Sequence, residues 1–174
     1  MAFNHLNIHN FPQLKATTTP EGRRYRVGDS LYPSVTTVIG HSKKKAIFEW
    51  RQKVGEEEAN KISKRASTRG NKCHKLCELY LENKSISKYS DDPLSMGLFY
   101  QIKPYLDSID NIHALEEPLS SSLLKMAGRV DCIGEYKGEL AIIDFKTSTK
   151  YKREEWIHDL SLIHISEPTR LELI

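Results

Sequence analysis

One apolar segment near the C-terminal end of the chain constrains the fold more than any other feature. It reads Leu-Ala-Ile-Ile-Asp-Phe-Lys-Thr-Ser over residues 140–148. Its first four residues are all apolar, which is typical of a central strand covered on both faces. Because side chains alternate along a strand, Asp144 and Lys146 are predicted to share one face. Phe145 lies between them and is predicted to point to the other face. The segment therefore predicts a buried strand that ends in two neighbouring charges.

A second carboxylate is expected beside this pair. Burying a charge costs several kcal/mol unless it is paired or binds a metal. Asp131 lies in the preceding predicted strand, and a hairpin through Lys137-Gly138 would bring it near Asp144. A divalent cation would remove the repulsion between the two carboxylates, and oxygen ligands suit Mg²⁺ or Mn²⁺. The two strands therefore predict a metal site, with a structural salt bridge between Asp144 and Lys146 as the alternative.

A histidine and a glutamate upstream are candidates to complete the site. His74 and Glu78 are four residues apart in a predicted helix, which places them on one face. Taken alone, such a pair is more often a surface or core pair. Its weight comes from the combination with the strand carboxylates.

The remaining patterns predict an α/β (α+β) fold in which a helical N-terminal half packs on a mixed sheet. A hairpin turning on Gly28-Asp29 is expected within residues 20–40, whereas residues 35–39 could be strand or helix. The helical region covers residues 43–109, with breaks at Gly55 and Gly70 and helices near 43–54, 56–67, 70–83 and 93–109. The sheet region covers residues 112–148, with adjacent antiparallel strands near 114–118, 122–126, 129–136 and 140–147. A further helix is expected at 152–159.

Length and charge set only broad limits. With 174 residues, 39% hydrophobic and 28% charged, the chain predicts a single globular domain, assigned to residues 1–159. A net charge of +3 is compatible with a polyanionic partner but is too small to identify one. No apolar run is long enough to predict a membrane span. Trp50 and Trp156 are interpreted as core residues rather than as stacking platforms.

The cysteines favour a reducing compartment. Their number is odd, and no N-terminal apolar signal segment precedes them, so we expect a cytoplasmic protein rather than a disulfide framework. The spacing of Cys73 and Cys77 could belong to a metal pair, but no second pair with ligand spacing exists. Buried helix thiols are the favoured interpretation.

Three motifs together resemble a known family. The segments Gly128-Arg-Val-Asp131 and Ile142-Ile-Asp-Phe-Lys-Thr-Ser148 resemble the core motifs of RecB-type PD-(D/E)XK nucleases. The segment Arg69-Gly-Asn-Lys-Cys-His-Lys-Leu-Cys-Glu78 resembles the Gly-x-x-x-His-x-x-x-Glu helix of that branch. Residues 32–38, Tyr-Pro-Ser-Val-Thr-Thr-Val, resemble a segment found in phage and mitochondrial genome maintenance exonucleases. The resemblance spans roughly residues 25–159 and implies a restriction-endonuclease-like sheet.

The resemblance also implies roles for individual residues. Asp131 and Asp144 would ligate the metal and His74 would complete its shell. Lys146 would orient or activate the attacking water, and Glu78 would be a supporting acid. Contacts with DNA, as a single strand or a duplex end, are expected from residues near these motifs, namely Ser34, Thr36, Thr37, Arg69, Thr147 and Ser148. For the first three a capped turn is the alternative, and for Arg69 and the lysines at 43–45 and 64 a solvated helix face is the alternative.

The C-terminal residues depart from the family pattern. Residues 160–170 resemble the conceptual translation of a transposase-based sequencing-library adapter, so residues 160–174 are interpreted as a non-native tail. The Gln-x-x-x-Tyr motif of the family is absent after Asp159, which predicts a nuclease core that is incomplete at its C-terminus. No cysteine follows Lys146, so the iron-sulfur cluster of some relatives is not expected.

Together these features predict a Mg²⁺- or Mn²⁺-dependent deoxyribonuclease. An exonuclease acting in phage biology or in DNA replication, recombination or repair is the favoured form. It would act in the cytoplasm of a bacterial or phage-infected cell. A non-catalytic DNA-binding module, or an inactive truncated fragment, is the alternative.

Overall fold

The structure is a computed structural model that describes residues 2–6, 10–11 and 13–148. The helix expected at 152–159, the tail at 160–174 and Trp156 lie outside the described residues. Among the described residues, the helices and strands form a mixed α+β fold with two three-stranded sheets, which confirms the predicted fold class.

The first sheet is an antiparallel arrangement of three short strands. It contains β1 (Ala16–Thr19), β2 (Gly22–Val27) and β3 (Ser30–Pro33) in that order. The predicted hairpin between β2 and β3 turns at Gly28-Asp29, where Gly28 has a φ of 57° that favours glycine. Gly22, at the start of β2, is also a position where only glycine fits. Its φ is 129°, and a Cβ there would lie 2.4 Å from Thr37 Cγ2.

The segment that the sequence left undecided, residues 35–39, is helical. It begins α1, which runs from Val35 to Val54. Ser34 is the N-cap, and its Oγ accepts a hydrogen bond of 3.0 Å from the Thr37 amide. That bond satisfies one of the amides that a helix start leaves without a partner. The predicted break at Gly55 is confirmed, since Gly55 ends α1 with a φ of 90°. Trp50 is half-buried on this helix.

The predicted break at Gly70 is wrong. The second helix, α2, continues from Glu56 to Leu81 without interruption. Three glutamates in its first turn stabilise the helix dipole. A glycine within a helix costs only about 1 kcal/mol relative to alanine. Burial of the apolar side chains that follow, beginning with Cys73 and Leu76, outweighs that cost.

The third helix, α3, runs from Pro93 to Leu106. Asp92 caps its N-terminus by accepting a 3.2 Å hydrogen bond from the Ser95 amide, and Pro93 occupies the first turn. The helix ends three residues before the predicted limit, because Ile109 is already the first residue of a strand.

The second sheet is the antiparallel meander that the sequence predicts. Its strands β4 (Ile109–Ser121), β5 (Met126–Tyr136) and β6 (Glu139–Ile143) are neighbours in chain order. β4 extends beyond the predicted 114–118 at both ends, and β5 begins at Met126 rather than at 129. Two further differences concern the turn between them and the end of β6. Residues 122–125 form a turn rather than a strand, and β6 ends at Ile143 rather than at 147. The turn 122–125 contains Leu123 and Leu124, so residue type alone did not distinguish it from the strands beside it.

Two compact units can be distinguished in the chain. The first contains residues 66–117 and 130–148 together with the N-terminal residues up to 10, and the second contains residues 11–65 and 118–129. The buried core of the first unit is formed by Phe3, Cys73, Leu76, Cys77, Leu81, Phe99, Leu106, Ile109, Ile112, Cys132 and Phe145. In the second unit Tyr25, Ala59 and Ala127 are buried.

The cysteines are part of this core. Cys73, Cys77 and Cys132 are all free and buried, which confirms their interpretation as core thiols. Burial raises the pKa of Cys132 to about 12, so its thiol stays protonated near neutral pH. None of the helices in the described part of the chain combines the length and the apolar character that a membrane span requires.

Candidate metal centre

A tight hairpin places the residues that carry the two predicted carboxylates on neighbouring segments of the first unit. Lys137 and Gly138 join β5 to β6, and both have positive φ, 52° and 85°, as a two-residue hairpin turn requires. The resulting register pairs Cys132 with Ile143. Asp131 therefore lies beside the point where the chain leaves β6 and continues to Asp144.

Asp131 is held in place by the backbone after β6. Its Oδ2 accepts a 2.7 Å hydrogen bond from the Phe145 amide, and its side chain is only 12% exposed. Burial by itself raises the pKa of this carboxyl. The hydrogen bonds from His74 and from the Phe145 amide lower the pKa and prevail, so that it lies below its usual value. Asp131 is therefore a carboxylate at neutral pH, as a metal ligand must be.

Asp144 and Lys146 lie beyond the end of β6 but keep the alternation of a strand. Phe145 between them is buried in the core, whereas Lys146 Nζ lies 2.5 Å from Asp144 Oδ1. The other carboxylate oxygen, Asp144 Oδ2, is buried and has no hydrogen-bond partner in the described part of the chain. A buried carboxylate oxygen without a donor is costly in a folded protein unless a cation or water satisfies it.

His74 reaches this region from α2. Its Nδ1 lies 3.5 Å from Asp131 Oδ2, and its ring packs edge-on against Phe145 with the ring centroids 6.1 Å apart. The hydrogen bond with Asp131 raises the pKa of His74, and nearby Asp144 acts in the same direction, while burial and Lys146 oppose them. His74 is therefore placed and oriented by the same two segments that carry the carboxylates.

A third acidic residue completes a cluster that could hold a metal ion. His74, Glu116 and Asp131 each offer one ligand atom, and these atoms all lie within 4.8 Å of one another. All three residues are half-buried. One imidazole nitrogen and two carboxylate oxygens are donors that divalent cations accept. The unsatisfied Asp144 Oδ2 nearby also fits a bound cation, so the residues present suit a metal centre.

Glu116 was not predicted from the sequence. It lies within β4 with a φ of 54°, a left-handed conformation that is uncommon for a residue other than glycine. Such backbone strain is concentrated at functional sites. The available signal was a pair of adjacent acids, Glu116 and Glu117, interrupting a strand of alternating apolar residues. Because Glu116 is far from His74 along the chain, the sequence did not show that the two residues belong to one site.

The predicted ligand set is thus brought together in part. His74 and Asp131 belong to the cluster, and Asp144 contributes to the electrostatics of His74 while its Oδ1 is engaged by Lys146. Glu78 is half-buried one helical turn beyond His74, where it pairs with Lys75. Its role as a supporting acid stays a prediction.

Three of the residues predicted to contact DNA, Arg69, Thr147 and Ser148, belong to the first unit. A Cβ at Gly70, next to Arg69, would lie 3.7 Å from Thr147 Oγ1, so α2 and the segment after Lys146 approach each other. The Nε of Arg69 is buried without a hydrogen-bond partner among the described residues. Ser148 follows at an exposed position. Their contact with DNA stays a prediction.

The remaining predicted DNA contacts, Ser34, Thr36 and Thr37, belong to the second unit. Ser34 is 2% exposed, and its hydroxyl caps α1, which agrees with the capped turn that the sequence left as an alternative. Thr37 Oγ1 accepts a 3.0 Å hydrogen bond from the Arg23 amide and so ties α1 to β2. Thr36 is exposed. A DNA contact of these hydroxyls stays a prediction.

Comparison with known proteins indicates a relationship to nucleases. The chain is 29% identical over 132 residues to the human protein named mitochondrial genome maintenance exonuclease 1, an alignment that covers 71% of this chain and 38% of the human protein. The mouse protein of the same name is 28% identical over 128 residues, covering 69% of this chain and 38% of its own length. The protein of that name from the frog Xenopus tropicalis is 27% identical over 137 residues, covering 74% and 40%.

These alignments cover only part of each relative. The chain spans about two fifths of the length of the curated relatives it matches. No model of a protein family matches the chain. The similarity therefore supports distant homology to an exonuclease, while the activity of the whole relative does not transfer with it.

Proposed function

We propose that this chain is the core of a metal-dependent DNA nuclease that hydrolyses phosphodiester bonds. The observation that carries the proposal is the cluster of His74, Glu116 and Asp131 beside an unsatisfied oxygen of Asp144. The distant exonuclease relatives support the same reaction and support DNA as the substrate.

His74, Glu116 and Asp131 would hold the metal, with Asp144 beside them. When bound, a divalent cation polarises the scissile phosphate and lowers the pKa of a coordinated water. Asp131 and Asp144 give the site the negative charge that attracts a cation, and the Phe145 amide keeps Asp131 oriented. Mg²⁺ or Mn²⁺ suits such oxygen-rich sites.

Lys146 is the residue proposed to meet the substrate. Its side chain is 45% exposed and its amine is held at Asp144. An ammonium at this position would stabilise the negative charge that grows on the phosphoryl oxygens as water adds to phosphorus and the P–O bond breaks. Arg69, Thr147 and Ser148 are proposed to bind the neighbouring phosphates of the strand.

The finer parts of the proposal follow from the sequence motifs. The chain is assigned to the RecB-type branch of the PD-(D/E)XK nucleases, with residues 1–159 as the nuclease domain. The names of the relatives support exonuclease rather than endonuclease action. A role in DNA replication, recombination or repair, in the cytoplasm of a bacterial or phage-infected cell, belongs to the same proposal.

Cleavage of end-labelled DNA with Mg²⁺, Mn²⁺ or EDTA tests the proposal. The chain should release labelled nucleotides only with a metal, and Asp131→Asn, Asp144→Asn and Lys146→Ala should each lower the rate about 100-fold or more. Asp29→Asn and Lys53→Ala change charges at exposed positions and serve as controls. Equal cleavage by the three site variants and the wild type would show that the site is assigned wrongly. Resistance of closed circular single strands separates exonuclease from endonuclease action.

A further inference from the structure

The helix α1 is unusual because none of its 20 residues is buried. One side of the helix is half-buried through Val35, Ile39, Trp50 and Val54. The opposite side faces solvent. At about 100° per residue, that opposite side is formed by His41, Lys44, Lys45, Phe48 and Gln52, all of which are exposed. We refer to these five residues as the outer face of α1.

The outer face carries positive charge that the described residues do not neutralise. In the described part of the chain, neither Lys44 nor Lys45 has a recorded ion pair or hydrogen bond. Arg51 differs from them because it is already engaged by Glu56 and by Asn60. Glu49, the one acidic residue of α1, lies about a quarter-turn away from Phe48. The outer face is therefore complementary to an anion.

Phe48 gives this cationic face a flat apolar centre. Its side chain is 63% exposed, and Lys44 and Lys45 lie one turn before it on the same side of the helix. Val38 and Ile47 are also exposed on α1, but at about 100° per residue they lie about 80° and 100° around the helix from Phe48. The three side chains therefore do not form the broad apolar stripe with which a helix binds a membrane surface. An aromatic ring between amines instead suits a ligand that has flat rings and phosphates together.

We propose that the outer face of α1 binds single-stranded DNA, with a base stacked on Phe48 and the adjacent phosphates held by Lys44 and Lys45. The choice of DNA rests on the function proposed above. A duplex hides its base faces within the stack, so the aromatic contact requires unpaired nucleotides. The outer face would thus be a strand-binding subsite in the second unit, formed by residues other than those of the metal centre.

Fluorescence anisotropy of a labelled oligo-deoxythymidylate of about 20 nucleotides, with the full chain in EDTA, tests this proposal. EDTA prevents metal-dependent cleavage, so the signal reports binding alone. Phe48→Ala should weaken binding about tenfold, and Phe48→Tyr should restore it because a tyrosine ring also stacks. Replacing both Lys44 and Lys45 by alanine should lower the slope of log affinity against log salt by about 1.4, since each phosphate contact on a single strand contributes about 0.7.

Matched control variants distinguish base stacking on Phe48 from the loss of any exposed apolar side chain or any positive charge. Leu31→Ala removes another half-exposed apolar side chain of the second unit, and Lys53→Ala removes an exposed lysine from a different side of α1. Both should bind as the wild type does, and Phe48→Ala should leave binding to the matching duplex unchanged. Circular dichroism should show the same helix content in all variants, because Phe48 is largely exposed.

The outcomes are distinct for the two proposals. Three results would overturn the role of the outer face: equal binding by Phe48→Ala and the wild type, full binding by Phe48→Leu, or an equal loss of binding in Leu31→Ala. In each case the cleavage assay would still test the metal centre independently. Binding that depends on Phe48 in a chain that cuts no DNA with any metal would support the outer face, and it would favour a non-catalytic DNA-binding module or an inactive truncated fragment over catalysis by this chain.

Discussion

At the scale of single residues, the candidate metal centre depends on contacts that keep several carboxylates ionised and close together. The Phe145 amide and His74 together hold Asp131 as a carboxylate although it is largely buried. Lys146 neutralises one oxygen of Asp144, while the other oxygen is buried and receives no hydrogen bond from the residues that the structure describes. Glu116 adds a third acidic group to a small region. Like charges at such distances repel, so a bound cation should stabilise the fold.

Glu116→Gln tests the contribution of the residue that the motifs did not reveal. A ligand that binds only the folded state raises the melting temperature, and at 100 times its dissociation constant it contributes about 2.7 kcal/mol. We expect Mn²⁺ to raise the melting temperature of the wild type and to raise that of Glu116→Gln clearly less, because a neutral amide is a poorer ligand. Thermal unfolding with and without Mn²⁺ measures the difference. Glu117→Gln is the control, and an equal response of both variants would exclude Glu116 from the metal centre.

At the scale of helices and strands, hairpin turns were predicted well, whereas several helix and strand boundaries were not. The Lys137-Gly138 turn acts locally, and a local pattern is enough to find it. The Ser34 cap is also a local bond, but the β-branched residues after it fit a strand as well as a helix, so the sequence left that segment open. Gly70 suggested a helix end, but α2 continues through it because the next two turns are buried. Tertiary burial thus overrides a weak local preference.

Gly70→Ala gives a measurable consequence of this continuity. Because Gly70 lies within α2 and a Cβ there would make only an ordinary 3.7 Å contact with Thr147 Oγ1, alanine should stabilise the protein by roughly 0.5–1 kcal/mol. Gly22→Ala is the opposite case and should destabilise it, because the added Cβ would overlap Thr37 and the φ of 129° is unfavourable for alanine. Urea unfolding measures both. A loss of stability in Gly70→Ala would argue against a continuous α2.

At the scale of the whole molecule, an ion pair links two helices of the first unit. Lys72 of α2 donates a 2.5 Å hydrogen bond to Asp92, which also caps α3. The bond from Lys72, followed by those from Ser95, lowers the pKa of Asp92 from 3.8 to about 2. A carboxyl with a lowered pKa contributes stability above its unfolded pKa, and the contribution is lost as pH falls towards the folded pKa.

Asp92→Asn should therefore destabilise the protein in a pH-dependent manner. Asparagine also caps helices well, so this change removes mainly the charge that Lys72 meets. The loss of stability should be full near pH 7 and decrease between about pH 4 and pH 2, where Asp92 of the wild type becomes protonated. Urea midpoints at several pH values provide the measurement, with Asp91→Asn as the control for net charge. A difference that is the same at pH 7 and pH 3 would contradict the assignment.

The sequence by itself determined the mixed fold class, the antiparallel meander, the turns at Gly28-Asp29 and Lys137-Gly138, and the alternation that separates Asp144 and Lys146 from Phe145. All of these depend on period and on short-range bonding, which a linear pattern contains. Only the tertiary structure joined Glu116 to His74 and Asp131, because that contact depends on how β4, β5 and α2 pack. It likewise decided the continuity of α2 and the exposure of Phe48 on α1. Burial depends on which surfaces meet, and residues far apart along the chain supply those surfaces.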